Sequence, residues 1–194
     1  MNKRIAIIGG GNLGVAIAEG LINSGFSSPA DIFITRRNIK VLQPLKEKGI
    51  QISDDNKEAV RFADLLILAV KPFQVEDILA SLKDELDIQR HLLVSVVTGF
   101  SIDHLVKAAG KKLPVVRAMP NTAIAIQESM TCISYNRSAT KQQVSFVTDV
   151  FMNLGRVAVI EEKLMDAATV LGACGTAFAM RYIRANIQGG IEIG

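Results

Sequence analysis

The chain has 194 residues, enough for one sizeable domain or for one domain and part of a second. It is 49% hydrophobic and carries a formal net charge of +3, with its basic residues spread along the chain rather than clustered as a nucleic-acid interface requires. Cys132 and Cys174 form no CxxC pair, and no segment resembles a signal peptide or a membrane helix of roughly 18 apolar residues, so we expect a cytoplasmic protein without a metal site.

Short apolar runs alternate with segments of helical spacing along most of the chain. The predicted strands are nearly continuous in hydrophobicity, as in strands buried on both faces of a parallel sheet, and they cover residues 4–8, 31–35, 64–70, 91–97 and 115–119. The predicted helices lie between and after them, at residues 12–25, 38–48, 55–61, 74–85 and 101–109. This alternation predicts an α/β fold with a Rossmann-type, doubly wound, mostly parallel sheet.

The last third of the chain changes in character. Two further strand-like runs, 129–135 and 156–161, flank a predicted helix at 139–152 and extend the sheet at one edge. After Glu161 the sequence is Ala-rich and helical, with an interruption near "GACGT" at 172–176, and it is apolar on more sides than one amphipathic face needs. We therefore expect a nucleotide-binding domain over 1–161 and, over 162–194, the first helix or helices of a second, helical domain.

A glycine-rich turn joins the first predicted strand to the first predicted helix. Gly9, Gly11 and Gly14 form the pattern GxGxxG, with Gly10, Asn12 and Leu13 between them. In this position the first glycine permits a tight turn, the second lets a pyrophosphate approach the backbone, and the third lets the helix pack closely on the strand. The pattern alone is weak, because a Gly-rich turn can be purely structural, but its place between strand and helix predicts a dinucleotide site.

The end of the second predicted strand indicates which dinucleotide is bound. An NAD site places a carboxylate there to hold the ribose 2′-hydroxyl, whereas this chain has Thr35, Arg36, Arg37 and Asn38. Guanidinium groups bind a 2′-phosphate with a planar fork of donors. The sequence favours NADP(H) over NAD(H), and the alternative is a solvated arginine pair.

Polar residues also follow the later strands, at the edge of the sheet where doubly wound folds bind ligands. Lys71 and Pro72 end "LAVKP", Thr98 follows the strand at 91–97, and Asn121 and Thr122 follow the strand at 115–119. Lys71 is as consistent with a solvated loop lysine as with a phosphate contact. Asn121 and Thr122 would face the nicotinamide end of the site.

Taken together, these stretches resemble the pyrroline-5-carboxylate reductase family. The resemblance runs from residue 4 to residue 194, and the matching stretches are "IAIIGGGNLGVAIAEGL", "DNKEAV", "LAVKP", "SVVTGFSIDHL", "VVRAMPNTAIAIQESMT" and "EEKLMDAATVLGACGTAF". It implies reduction of L-1-pyrroline-5-carboxylate to L-proline by NADPH, a step of proline biosynthesis. The catalytic residues it implies are Asn121 and Thr122. The substrate contacts it implies are Asn121 and one acid of the pair Glu161 and Glu162, with Glu162 favoured. The cofactor contacts it implies are Gly9, Gly10, Gly11, Asn12, Leu13, Gly14, Thr35, Arg36, Arg37, Asn56, Ala69, Val70, Lys71, Pro72, Val96 and Thr98.

This chain departs from the family's pattern in its C-terminal part. Thr176 replaces a proline, Phe178 replaces a tyrosine, and Arg184 stands where the family has an acid. The family's chain continues through more helices and a loop that binds substrate, and those helices build its dimer. The resemblance therefore implies a homodimer or higher homo-oligomer through the C-terminal helices, and a truncated or divergent chain with poor turnover or none.

Two other functions remain open on the sequence. Another NADP-dependent oxidoreductase, of the deazaflavin:NADP reductase or β-hydroxyacid dehydrogenase type, could share the fold, although Lys163 is too early for the catalytic lysine of the second type. A non-catalytic NADP-binding module is the other alternative. We expect a small-molecule cyclic imine substrate, and neither a nucleic acid nor a membrane as a partner.

Overall fold

The computed structural model describes residues 4–194, so the first three residues of the predicted domain at 1–161 lie outside the described part. Its strands are β1 (Ile5–Ile8), β2 (Ile32–Thr35), β3 (Gln51–Ser53), β4 (Leu65–Leu68), β5 (Leu92–Ser95), β6 (Val115–Met119), β7 (Ser129–Tyr135) and β8 (Gly155–Val159). Its α-helices are α1 (Asn12–Asn23), α2 (Gln43–Glu47), α3 (Asn56–Phe62), α4 (Val75–Leu82), α5 (Ile102–Ala109), α6 (Lys141–Met152), α7 (Met165–Ala168) and α8 (Gly175–Glu192).

The strands of residues 4–194 form one eight-stranded sheet in the order β3-β2-β1-β4-β5-β6-β7-β8. The first six strands in sequence are parallel, and the order reverses between β1 and β4, as in a Rossmann fold. β7 runs antiparallel to β6, and β8 runs parallel to β7 at the edge. The predicted fold class and the edge extension by the last two strands are confirmed.

Alternate residues of the strands face two separate hydrophobic cores. Ile5 and Ile7 of β1 pack in one core with α1 and α6, whereas Ala6 and Ile8 pack in the other with α3, α4 and α5. All four residues are at most 1% exposed. Because both faces are covered, the only part of a parallel sheet that can bind a ligand is the edge where the strands end.

Side chains at the helix ends fix where the helices begin and stop. The carboxylate of Asp55 accepts a hydrogen bond from Lys57 N at the start of α3, and the hydroxyl of Ser101 accepts one from His104 N in α5. Gly110, at φ 63°, ends α5 in the left-handed conformation that glycine adopts without strain. These boundaries agree with the predicted helices at 55–61 and 101–109.

The segment after β2 differs from the predicted helix at 38–48. A 3₁₀ turn at Ile39–Leu42 precedes the short α2, in which Pro44 lies in the first turn, where its missing N–H is not needed. The three-residue strand β3 was not predicted. It lies at the edge of the sheet and alternates polar and apolar residues over too few positions to give a periodic signal.

The C-terminal segment is helical and largely uncovered. A π-helical turn at Thr169–Cys174 lies between α7 and α8, close to the predicted interruption at 172–176. No residue of α8 is buried, and its exposed apolar side chains include Phe178, Met180, Tyr182, Ile183, Ile187 and Ile191. Within residues 4–194, no helix has both the length and the apolar character needed to cross a membrane.

His91 is buried and directly precedes β5. It lies at the edge where the parallel strands begin, opposite the edge where they end. Its Nδ1 accepts a hydrogen bond from Asp87 N at 2.9 Å, and its Nε2 lies 3.2 Å from Val60 O, to which it donates when the ring is neutral. Burial lowers the pKa of His91 below its ordinary value of 6.5, with the positive charge of Arg90 as a second cause. The ring is a neutral structural link between α3 and β5.

Candidate functional site

The glycine-rich loop between β1 and α1 leaves an open backbone surface at the edge where the strands end. Gly9 has φ 114°, and a side chain there would collide with Ala69 O and approach Val70 Cγ1 to 2.9 Å. A Cβ on Gly14 would collide with Gly9 O, so only glycine lets α1 pack against the loop. A Cβ on Gly11, in contrast, would meet nothing within 4 Å. The loop therefore packs tightly against the protein at Gly9 and Gly14, and its backbone is open to a ligand at Gly11.

The start of α1 is suited to an anion. Gly11 is its N-cap residue, no side chain caps the helix, and the first turn contains no acid. The free N–H groups and the helix dipole there favour negative charge. An uncapped helix start beside a bare backbone surface fits the pyrophosphate of a dinucleotide.

The end of β2 holds the glycine loop in place. Thr35 O accepts hydrogen bonds from Gly9 N at 3.2 Å and from Gly10 N at 2.7 Å. The Nη1 of Arg36 donates to Gly10 O at 2.8 Å, and the hydroxyl of Thr35 donates to Asn56 Oδ1 at 2.6 Å. The structure thus brings five residues of the predicted cofactor set into one hydrogen-bonded group.

The remaining predicted cofactor residues lie along the same edge of the sheet. Ala69 N donates to Ile8 O at 2.8 Å, which holds the segment after β4 beside the glycine loop. Val96 is buried after β5, and the exposed Thr98 donates to the sulfur of Met119 at 3.8 Å. The exposed predicted residues there, beyond Thr98, are Gly11, Asn12, Arg37, Lys71 and Pro72.

A cleft of about 400 Å³ joins α1 to the turn after β6. It is lined by Asn12, Leu13, Ala16, Pro120, Asn121, Thr122, Ile124, Ala125 and Ala173. A larger depression of about 750 Å³ is lined by residues 84–88, Lys111 and Lys112. That depression lies where β5 and β6 begin, the edge at which doubly wound sheets do not bind ligands, so the smaller cleft is the candidate site.

The side chain of Asn121 is bonded to the protein at both of its polar atoms. Its Oδ1 accepts from Ala123 N at 3.1 Å, which caps the 3₁₀ turn at Thr122–Ile126. Its Nδ2 donates to Gly172 O at 3.2 Å and lies 3.4 Å from the Thr176 hydroxyl. Asn121 therefore ties the turn after β6 to the C-terminal helical segment.

Glu162 takes part in a second link between the sheet and the C-terminal segment. Its Oε1 accepts from Ile102 N at the start of α5 at 2.6 Å and pairs with Arg117 Nη1 at 3.3 Å. Arg117 lies in β6, is 5% exposed, and is 3.8 Å from Asp166. Its Nε has no hydrogen-bond partner within residues 4–194. The acid and the arginine fix where the C-terminal segment leaves the sheet.

Comparisons with known proteins give the relationship of the whole chain. The pyrroline-5-carboxylate reductase 2 of Dictyostelium discoideum is 41% identical and is matched over all of this chain and 69% of its own. The chain belongs to the pyrroline-5-carboxylate reductase family. Reductase 1 of the same organism is 39% identical over 98% of this chain, which spans only 36% of it.

A solved structure and a family model agree with that membership. The pyrroline carboxylate reductase of Plasmodium falciparum, solved with NADP bound, superposes with a TM-score of 0.88 at 26% identity, over 98% of this chain and 70% of its own. The family model described as "NADP oxidoreductase coenzyme F420-dependent" matches residues 4–99, the N-terminal half of the chain. The reductase relatives match nearly the whole chain, and they decide the family.

The structure brings the predicted cofactor residues, Asn121 and Thr122 to the edge of the sheet where the parallel strands end, and Glu162 to Arg117 of β6, while contacts of these residues with cofactor and substrate stay predictions. Three residues that organise the site escaped the sequence reasoning: Arg117, Thr176 as a partner of Asn121, and Gln127. Gln127 adopts φ 60° and donates to Gly20 O at 3.2 Å, tying the turn after β6 to α1. Of these, only Arg117 left a signal, since it is the one charged residue in the apolar run 115–119.

Proposed function

We propose that the chain reduces L-1-pyrroline-5-carboxylate to L-proline with NADPH. One observation carries the proposal: the cleft at the edge of the sheet joins the uncapped start of α1 to Asn121 and Thr122. A dinucleotide bound along the glycine loop would present its reactive end to this cleft. The relatives' names supply the substrate, and the NADP-bound relative supports the choice of cofactor.

The protein's part in this reaction is to bind and orient. NADPH supplies the hydride when it is bound. The backbone from Gly9 to Gly14 holds the pyrophosphate, and the segment from Thr35 to Arg37 holds the adenosine end. Lys71 adds a positive charge from the loop after β4. Val96 and Thr98 line the path between the two ends.

The imine substrate makes modest demands on the side chains. A protonated imine is already electrophilic, so the site must position its carbon, bind its carboxylate and exclude water. Asn121 and Thr122 lie at the nicotinamide end of the cleft and orient the ring. Glu162, whose Oε1 is engaged by Ile102 and Arg117, lies at the start of the C-terminal segment, from which Ala173 lines the cleft.

The chain assembles, in this proposal, as a homodimer or higher homo-oligomer in the cytoplasm. Residues 1–161 bind the dinucleotide and residues 162–194 begin the helical dimerisation domain. The exposed apolar side chains of α8 support this, because a contiguous apolar surface of that kind usually marks an interface. The free thiols of Cys132 and Cys174 suit a reducing compartment. Sedimentation as a monomer at micromolar concentration would argue against the assembly.

The substrate is tested by the oxidation of NADPH with a panel of compounds. The panel contains L-1-pyrroline-5-carboxylate, a cyclic imine without the carboxylate, and several 2-keto acids, and L-proline is measured as the product. We expect the carboxylate-bearing imine to accelerate oxidation most and to yield proline. Because the sequence predicts poor turnover, the ranking of the compounds decides the test, and stronger acceleration by a 2-keto acid than by L-1-pyrroline-5-carboxylate would contradict the proposal.

A further inference from the structure

Two adjacent arginines end β2, and the structure places them in different surroundings. Arg36 is half-buried, its backbone N donates to Ser53 O at 3.0 Å, and its Nη1 donates to Gly10 O at 2.8 Å. Arg37 is exposed, and within residues 4–194 no hydrogen bond or ion pair engages its guanidinium. One guanidinium is committed to the protein and the other is free.

The commitment of Arg36 is to the glycine loop itself. Gly10 is buried, its N donates to Thr35 O at 2.7 Å, and a Cβ on it would lie 2.8 Å from Leu42 Cδ2. Its carbonyl oxygen is held by Arg36. Loss of this bond would leave a buried acceptor unpaired and loosen the loop. Any dinucleotide needs this loop, whether or not it carries a 2′-phosphate.

We propose that Arg37 is the residue that selects NADPH over NADH, and that Arg36 is a positioning residue that serves both dinucleotides equally. The inference rests on the proposed function, in which residues 35–37 hold the adenosine end. Both arginines carry the positive charge that a 2′-phosphate requires, and the inference assigns that contact to Arg37 alone.

The chemistry of phosphate binding favours this division. A 2′-phosphate is bound best by two parallel N–H donors of one guanidinium, and Arg37 has all five of its donors free. Arg36 would have to turn its Nη1 away from Gly10 O to offer the same fork on that side. Lys40, exposed in the same segment, contributes a point charge without a fork, which makes it a matched control for net charge.

The test compares dissociation constants for NADPH and NADH in the whole chain and in four variants, by titration calorimetry without substrate. We expect Arg37→Met to reduce the ratio of the NADH constant to the NADPH constant by about tenfold or more, with NADH binding changed by less than about threefold. Arg36→Met should weaken both dinucleotides by a similar factor. Arg36→Lys, which can still donate to Gly10 O, should restore part of that loss for both, and Lys40→Met should change the ratio by less than about threefold.

Probes without nicotinamide isolate the recognised group. Adenosine 2′,5′-bisphosphate should lose affinity in Arg37→Met, whereas adenosine 5′-monophosphate should not. A ratio that falls in Arg36→Met and survives in Arg37→Met would overturn the inference, as would a wild-type chain that binds the two dinucleotides equally. Failure to reduce L-1-pyrroline-5-carboxylate with this binding pattern intact would refute the proposed substrate and leave the inference standing.

Discussion

Gly11 and Gly14 lie in the same loop-helix junction, yet their substitution should have opposite effects on binding and stability. Gly11 has φ −83° and ψ −172°, an extended conformation open to any residue, and its side-chain position points into free space. Gly14 is buried, and a Cβ there would collide with Gly9 O and lie 3.1 Å from Ile7 Cγ2. Gly11→Val should therefore block a ligand, whereas Gly14→Ala should strain the fold.

The magnitudes follow from those surroundings. Valine is a poorer N-cap than glycine, so Gly11→Val should lower the free energy of unfolding by about 1 kcal/mol or less. If it prevents two charge-assisted hydrogen bonds of about 1.5–3 kcal/mol each to the pyrophosphate, NADPH affinity should fall by about 100-fold or more. Overpacking at Gly14→Ala should cost about 1–3 kcal/mol, and each kcal/mol lowers Tm by roughly 2–4 °C at this chain length.

Titration calorimetry with NADPH and differential scanning calorimetry of the unliganded variants measure the two effects separately. Gly11→Ser is a useful control, because serine is a good N-cap and should keep or raise Tm. A Gly11→Val chain that binds NADPH as the wild type does would show that the open side of the loop is not the ligand site. An unchanged Tm in Gly14→Ala would show that the close approach of α1 to the loop is not required.

Two further predictions concern polar side chains. Asn121→Ala should reduce turnover by about tenfold or more and change NADPH affinity by less than about threefold, since we propose that Asn121 faces the nicotinamide, and its side chain bonds to Gly172 O. Steady-state kinetics beside NADPH titration would contradict this if affinity falls and turnover survives. The pKa of His91 is lowered in the folded state, so the unfolded chain binds more protons and the free energy of unfolding should fall as pH drops below about 6.5, by at most about 1.4 kcal/mol per pH unit. Urea unfolding at pH 7.5 and 5.5 should show a smaller pH dependence in His91→Gln than in the wild type, and an equal dependence in the two would contradict this.

The sheet was predictable because burial of both faces of its central strands leaves a visible pattern in the local sequence. The runs at 4–8 and 64–70 are apolar after their first residue, as is typical of strands whose two faces are both covered by helices. Strict alternation with helices then leaves few topologies. β3 could not be found this way, since its three residues pair only with β2 at the edge and bury little. The antiparallel direction of β7 relative to β6 is also not indicated by the residue composition of β7.

The candidate site was predictable as a place and less so in the roles of its residues. Arg36, Asn121 and Glu162 are polar residues beside strand ends, and each has a polar group bonded to a backbone atom of the protein. The edge that binds ligands in a doubly wound sheet is also where strands and turns leave backbone N–H and C=O groups without ladder partners. Polar side chains at this edge can bind a ligand or pair with these backbone groups, and the same residue types at the same spacing serve either purpose. The contacts in the structure distinguish the two arginines. The guanidinium of Arg36 is bonded to Gly10 O and holds the loop, whereas we propose that the free guanidinium of Arg37 binds the ligand.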